Sequence, residues 1–269
     1  MFVSGPVAVA LALVVLGLPQ LKAYAALWGI IVSLSDAFWL TPWQKRLRNK
    51  AARVQELFDC DVLEVPWDEL KAGKRPEPEL VREQSDKYKR WEASMPPLSD
   101  WYGTEVDCLP LHIGRIACQR SNCWWDAKQR RRYATWVIVA VSVIFLTVLC
   151  LAMGNGFTIE DFVLKVAAPL SPALLLGIRQ FAEQLEAASR LDTLKEHAER
   201  LWADALSGKQ EADITLRSRG LQNEILENRK RSPLVFDWIF KRLRRDYETQ
   251  MNHGIAEFVA EAKQKLGLP

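Results

Sequence analysis

The chain is poor in the groups on which most enzymes rely. It holds 3 histidines in 269 residues, and His112, His197 and His253 are scattered along it. There is no Ser/His/Asp grouping, no H-E-x-x-H helix and no glycine-rich phosphate loop. These absences lean away from an enzyme, and no catalytic residue is named. Cysteine offers little more. The 5 cysteines are Cys60, Cys108, Cys118, Cys123 and Cys150. Cys118 and Cys123 form a C-x4-C pair near Cys108 and His112, but five residues diverge in direction on a helix. Structural zinc asks for closer, paired spacings. Small buried thiols are the expectation, with no metal and no other cofactor. The start of the chain also lacks a basic stretch ahead of its apolar run and a small-residue cleavage pattern, so a secretory signal peptide is not the expected reading.

Long apolar runs are what the chain does have. Block one spans Pro6 to Trp43 and is broken near Gly17-Leu18-Pro19-Gln20; block two spans Ala134 to Ile178 and is broken near Gly154-Asn155-Gly156. A membrane span needs about 20 apolar residues, so each block has the length of two. The predicted helices cover roughly 3–18, 22–42, 134–153 and 158–178. Whole-chain values of 49% hydrophobic residues, mean hydropathy −0.09 and net charge +3 average over this pattern and conceal it. Basic residues set orientation. Lys45, Arg46, Arg48, Lys50 and Arg53 follow block one without an acid; Lys128, Arg130, Arg131 and Arg132 precede block two; Arg179 follows it. The short turns are poor in positive charge. The expected fold is therefore mainly α: a polytopic membrane protein with transmembrane hairpins at 1–43 and 134–178. A small α(+β) domain at 44–133 and a helical domain at 179–269 share the cytoplasmic side. Four of the cysteines fall in the first of these, where thiols stay reduced.

Charges and prolines inside the spans are the pore or gating candidates: Asp36, Lys165, Pro169 and Pro172. An intramembrane acid is expensive and marks either an ion path or an interfacial site with a basic partner. For Lys165 the simpler account is an i, i+4 pair with Asp161. Two prolines three apart remove backbone donors and kink a helix. Trp28, Trp39, Trp43 and Trp136 fit interfacial anchors.

In 44–133, Asn49–Phe58 has the period of an amphipathic helix, Cys60–Val65 alternates like a short strand, and 79–91 is helical. A helix starting at Leu109-Pro110 runs through Tyr133 into the third span. Its stretch 115–126 carries a polar stripe of Arg115, Gln119, Asn122 and Asp126. Arginine forks match phosphate oxygens and tryptophan faces stack bases. Arg115, Arg120, Asn122, Trp124, Trp125 and Arg130 are thus nucleotide-ligand candidates; a buried polar network with core tryptophans is the other account. In 179–269, Phe181, Leu185, Ala188, Leu191, Leu194, Ala198 and Leu201 trace a seam ended by Gly208. Helices follow at 211–230 and 253–265. Between them Lys241, Arg242, Arg244 and Arg245 form a basic run suited to anionic lipid or to a ligand.

Five stretches resemble one family. They are the run from Ala51 to Trp67 (AARVQELFDCDVLEVPW), Asp100-Trp101-Tyr102, the run Cys118 to Asp126 (CQRSNCWWD), Ser218 to Gln222 (SRGLQ), and Phe236 to Arg244 (FDWIFKRLR). In this order they resemble the SMODS-associated four-transmembrane effectors, although a polar segment typical of that family before the first helix is missing. The resemblance implies a bacterial antiphage effector of the inner membrane, functionally linked to a cyclic-oligonucleotide synthase. It further implies a cyclic oligonucleotide as ligand, the lipid bilayer as target and a homo-oligomer as the perforating state. Direct DNA or RNA binding is not expected. The alternative is a membrane scaffold or sensor without a pore, recruiting a partner through its C-terminal helices.

Overall fold

The structure, a computed structural model, describes residues 22–91 and 101–269. The expected helix at 3–18 lies outside them. The described residues form helices α1 (Lys22–Ser35), α2 (Thr41–Val62), the short α3 (Glu69–Ala72), α4 (Pro78–Trp91), α5 (Leu111–Gly154), the short α6 (Ile159–Phe162), α7 (Ala168–Leu206), α8 (Glu211–Arg231) and α9 (Asp237–Leu266). Five-residue π segments, Asp36–Leu40 and Val163–Ala167, join α1 to α2 and α6 to α7; Thr104–Cys108 is a 3-10 turn. The chain divides into two compact units. One contains 1–46 and 132–185; the other contains 47–131 and 186–269.

No strand occurs among the described residues, which corrects the strand expected at 60–65. From Ala52 to Leu63 the buried positions are Ala52, Glu56, Asp59, Cys60 and Leu63, which fall on one face at helical spacing; Val65, also buried, lies past the helix end. That period carries α2 to Val62, and the apparent alternation is its tail. Just past the helix end, Glu64 adopts φ 50° and turns the chain away. Burial of Arg115 supplies the stop, because its guanidinium donates to the Leu63 carbonyl (2.7 Å) and the Glu64 carbonyl (2.9 Å). The last helix also differs from the expected 253–265. Ile239, Leu243, Tyr247, Met251, Ile255, Val259 and Ala262 are buried in one continuous stripe, so α9 starts sixteen residues earlier, at Asp237.

In the first unit, α5 is long and apolar enough to cross a membrane, and 11% of its most apolar 18-residue window is buried. A core helix of a soluble domain would be mostly covered. Residues Ile159–Ala167 and Leu170–Leu206 meet the same test as a pair bent by 74°. These two are what the described residues contribute to the four expected spans; α1 itself has 14 residues. The turn between α5 and α6 falls at Gly154-Asn155-Gly156, where Gly156 takes φ 77°. Across it Val148 and Ala152 pack on Phe162, Val166 and Leu170.

Both π segments have a readable cause. Pro42 and Pro169 each stand two residues beyond the π segment. A proline lacks the N–H for the i−4 carbonyl and its ring crowds that carbonyl. The ladder widens just before each one: Thr41 N–H bonds to Asp36 O and Ala168 N–H to Val163 O, both five residues back. Pro172 would likewise orphan the Ala168 carbonyl; the Ser171 hydroxyl takes it at 2.8 Å. Such repair from a neighbouring hydroxyl is what lets proline persist in a span.

The second unit is built around buried polar groups. Glu56 and Asp59 project from α2 into the core and are 0% and 2% exposed. Arg219 pairs with Glu56 and Arg229 with Asp59, each at 2.7 Å. Gln222 Nε2 donates to both carboxylates at 2.9 Å, and the Tyr102 hydroxyl donates to Asp59 at 2.7 Å. Gln119 of α5 closes the set by donating to Gln222 Oε1 and accepting from the Ser218 hydroxyl. The seam residues Ala188, Leu191, Ala198 and Leu201 of α7 are all buried, whereas Leu185 is exposed.

Two outcomes follow from this packing. A methyl group at Gly177 of α7 would run into Val141 of α5. Gly177→Ala should therefore cost about 1–3 kcal/mol in thermal unfolding of the full chain in detergent, and adding Val141→Ala should restore most of it. Asp59→Ala leaves the Arg229 charge buried without its partner and should cost about 3–5 kcal/mol by the same measurement. The Asp59→Ala/Arg229→Met double variant should lose markedly less.

Candidate ligand site

The polar stripe of α5 faces one way, and its three levels do three different things. Arg115 holds the end of α2, and Gln119 belongs to the buried network. One and two turns further on, Asn122, Trp125, Asp126 and Arg130 recur at helical spacing and line a cavity of 280 Å³. Its other walls come from Arg48 and Ala52 of α2, Arg229 of α8, and the link from Ser232 to Phe240. All of these residues belong to the second unit.

Three arginines thus meet around one space. Arg130 ion-pairs with Asp126 at 2.9 Å and donates to the Pro233 carbonyl at 2.8 Å. Arg48 Nη1 donates to the Arg231 carbonyl at 3.3 Å. Arg229 faces Asp59. Burial alone would lower the Arg229 pKa, but Asp59, with Tyr102 and Glu56 close by, carries it above its ordinary value. Its positive charge is fixed. The Tyr102 hydroxyl is pushed well above its usual range, first by burial and then by Asp59, and stays protonated as a donor. Two buried polar atoms on the cavity wall, Arg48 Nε and the Ser232 hydroxyl, have no hydrogen-bond partner. A buried polar atom without a partner costs about 1–3 kcal/mol, and an acceptor in the cavity would recover it for the arginine.

Aromatic rings close one side. Trp125 sits edge-on to Trp101 (5.4 Å between centroids) and to Tyr247 (5.8 Å), and Phe240 lies 6.4 Å from Trp101 and from Trp125. Trp101, Trp125 and Phe240 line the cavity; Tyr247 stands behind them.

Three of the six ligand candidates therefore gather here: Asn122, Trp125 and Arg130. The others are elsewhere. Arg115 lines a separate groove with Phe58, Tyr102 and Leu109, and burial lowers its pKa. Arg120 makes two hydrogen bonds to Glu199 Oε1, at 3.0 and 2.9 Å, and lies 4.9 Å over the Phe258 ring. Trp124 packs on Tyr247 and carries the Lys128 ammonium 4.8 Å over its ring. Arg48, Arg229 and Ser232 were not singled out from sequence. Arg48 is one of five basic residues that set the expected orientation, and nothing local marks Arg229 out from its neighbours Lys230 and Arg231. The pore or gating candidates belong to the first unit. Asp36 opens one π segment and Lys165 sits inside the other. Lys165 pairs with Asp161, the i, i+4 partner, and lies 5.3 Å over Phe157. Asp36 is within electrostatic reach of Arg179. Pro169 and Pro172 fall at the start of α7.

Among the described residues no three His, Cys, Asp or Glu side chains stand together as metal ligands. Burial pushes the Cys118 and Cys123 thiols up to about 12, and burial with Glu56 beside it brings Cys60 to about 11. A thiol reacts as thiolate. Iodoacetamide at pH 8 should therefore label exposed Cys108 in the native chain and leave Cys60, Cys118 and Cys123 unmodified until denaturant is added. Peptide mass spectrometry reads the difference.

The chain is 27% identical over 148 residues to a probable CBASS effector molecule of Bacillus cereus (strain VD146). The match covers 54% of this chain and 48% of that protein, so the chain spans about half the length of the curated relative it matches. No solved structure matches it. The family model described as the SMODS-associating 4TM effector domain matches residues 1–258, and the chain belongs to that family.

Proposed function

We propose that this protein is a membrane effector of bacterial antiphage defence. A cyclic oligonucleotide messenger binds the polar unit, the chain self-associates, and the apolar helices permeabilise the inner membrane. The hairpins are 1–43 and 134–178, and the segments 44–133 and 179–269 face the cytoplasm, where a partner synthase makes the messenger. The effector family and the CBASS relative support the setting. The observation that carries the mechanism is the continuity of α5. One helix bears Asn122, Trp125 and Arg130 on the cavity wall and then the apolar stretch long enough to span a bilayer.

The chemistry of the cavity suits a phosphodiester. Arg48, Arg130 and Arg229 supply charge-assisted donors, Ser232 adds a hydroxyl, and the aromatic wall gives a base an apolar neighbour. Its 280 Å³ is just below the roughly 300–1,000 Å³ usual for ligand sites. It holds about one phosphate with its nucleoside, so the rest of a cyclic ligand extends outward or widens the site. A ligand drives the change only through its preference for the widened state. Movement of α5 is then the link from binding to the spanning stretch.

Proteoliposomes loaded with dye test this reading. Leakage should begin on adding a cyclic oligonucleotide from a di- and trinucleotide panel and should not occur without one. Vesicles that stay tight with every ligand at saturation would favour the scaffold. Arg48→Gln should weaken binding by about 10–100-fold, the value of one charged hydrogen bond, with expression and membrane insertion unchanged. Isothermal titration of the full chain in detergent measures it; unaltered affinity would take the messenger out of this cavity.

A further inference from the structure

The link between α8 and α9 has two sides. Inward, Ser232, Pro233, Leu234, Val235, Asp237 and Phe240 line the cavity. Leu234 is at the rim, lining the cavity yet 45% exposed, and Trp238, which does not line it, is 55% exposed. Trp238, Arg242 and Arg245 recur at i, i+4 and i+7, one face of α9, and both arginines are exposed. The stripe Ile239, Leu243 and Tyr247 is committed to the core, so this face cannot turn inward.

The link is also fastened at two informative points. Arg48 holds the Arg231 carbonyl and Arg130 holds the Pro233 carbonyl. Arg48 lies one residue inside the point where α2 enters the polar unit, at Leu47, and Arg130 one residue before α5 leaves it, at Arg131. Along the chain, these are the ends nearest the apolar helices. An exposed indole and leucine beside arginines, tied to both, has the composition of a membrane–water boundary. Indoles sit at headgroup level there, and basic side chains gain from anionic lipid.

We propose that Leu234, Trp238, Arg242 and Arg245 form a docking surface for anionic phospholipid headgroups. The bilayer thereby supports the outer side of a ligand-cavity wall. This inference rests on the membrane reading above and adds that lipid charge biases the cavity. A bare phosphate site would have no use for the exposed indole of Trp238, and a nucleic-acid groove none for the tie to the membrane-proximal ends.

The full chain is reconstituted in nanodiscs of phosphatidylcholine, alone or mixed with phosphatidylglycerol, and hydrogen exchange of peptides covering 234–245 is followed. Exchange should be slower in the anionic discs. The Arg242→Gln/Arg245→Gln variant should erase the difference, a change of up to roughly 30-fold at about 1 kcal/mol per basic side chain. Peptides covering the buried stripe from Met251 to Ala262 should exchange alike throughout, which certifies the fold of the variant. Equal exchange of 234–245 in both discs would overturn the proposal, and so would protection conferred by an added RNA oligonucleotide in place of anionic lipid. Release of the chain from the discs by alkali would instead sink the membrane reading itself, so the two failures are separable.

Discussion

Burying two carboxylates on one helix is the constraint from which the polar unit follows. Glu56 and Asp59 lie three apart on α2 and leave water almost entirely. An ion taken into a protein interior costs several kcal/mol unless it is paired and hydrogen-bonded. Neither carboxylate can be satisfied locally, since α2 offers only the weak Cys60 thiol at 3.6 Å. Their partners must come from far along the chain: Tyr102, Gln119 through Gln222, Arg219 and Arg229. Meeting that demand brings α2, α5 and α8 together at fixed register. It also explains why the five stretches that mark the family lie so far apart in sequence. Four of them supply Glu56 and Asp59, Tyr102, Gln119, and Ser218 with Arg219 and Gln222. The fifth supplies Phe240, which packs on Trp101 and Trp125. Pairing of this kind is a weak source of net stability but a demanding one, because a single missing partner strands a charge.

The same logic separates structural arginines from those at the cavity. Arg115 spends its donors on two backbone carbonyls at the end of α2, and Arg120 on Glu199. Each is anchored to groups of the fold itself. Arg48 differs, since its Nε is buried and unpaired while its other donor reaches a single carbonyl. Arg229 is shared, being held by Asp59 yet part of the cavity wall. The candidate site is therefore built onto the edge of the network that organises the unit. A ligand that altered Arg229 or Arg130 would act on groups that already bind α2, α5 and α8 to one another.

How much of this could be read from sequence depends on range. Helix periods, the Gly154-Asn155-Gly156 turn, the stop at Gly208 and the seam on α7 are local properties, and they were legible. The strand at 60–65 failed because six residues of alternation are too few to outweigh a helical period that runs from Ala52 to Leu63. The ligand candidates divided for a similar reason. Residue type identified arginines and tryptophans on α5, and the spacing of Asn122 and Asp126 identified the correct face. Type could not distinguish Arg130, aimed at the Pro233 carbonyl and the cavity, from Arg120, whose partner lies 79 residues away on α7. Arg229 stands beside Lys230 and Arg231 and looks like them. Its burial is decided by Asp59, 170 positions earlier, and no local pattern carries that information.

The apolar unit shows proline acting at a distance of two residues. Pro42 and Pro169 stand beyond the π segments they induce, and the altered backbone falls on the residues before them. Asp36 and Lys165 occupy those altered stretches. In a regular helix a charge in the span would face whichever side its 3.6-residue period assigned. A π turn adds one residue to the cycle and rotates everything before it relative to everything after. The charged residues and the prolines are thus parts of one arrangement. Lys165 meets Asp161 across the entry to its π segment, and the Ser171 hydroxyl repairs the carbonyl that Pro172 releases.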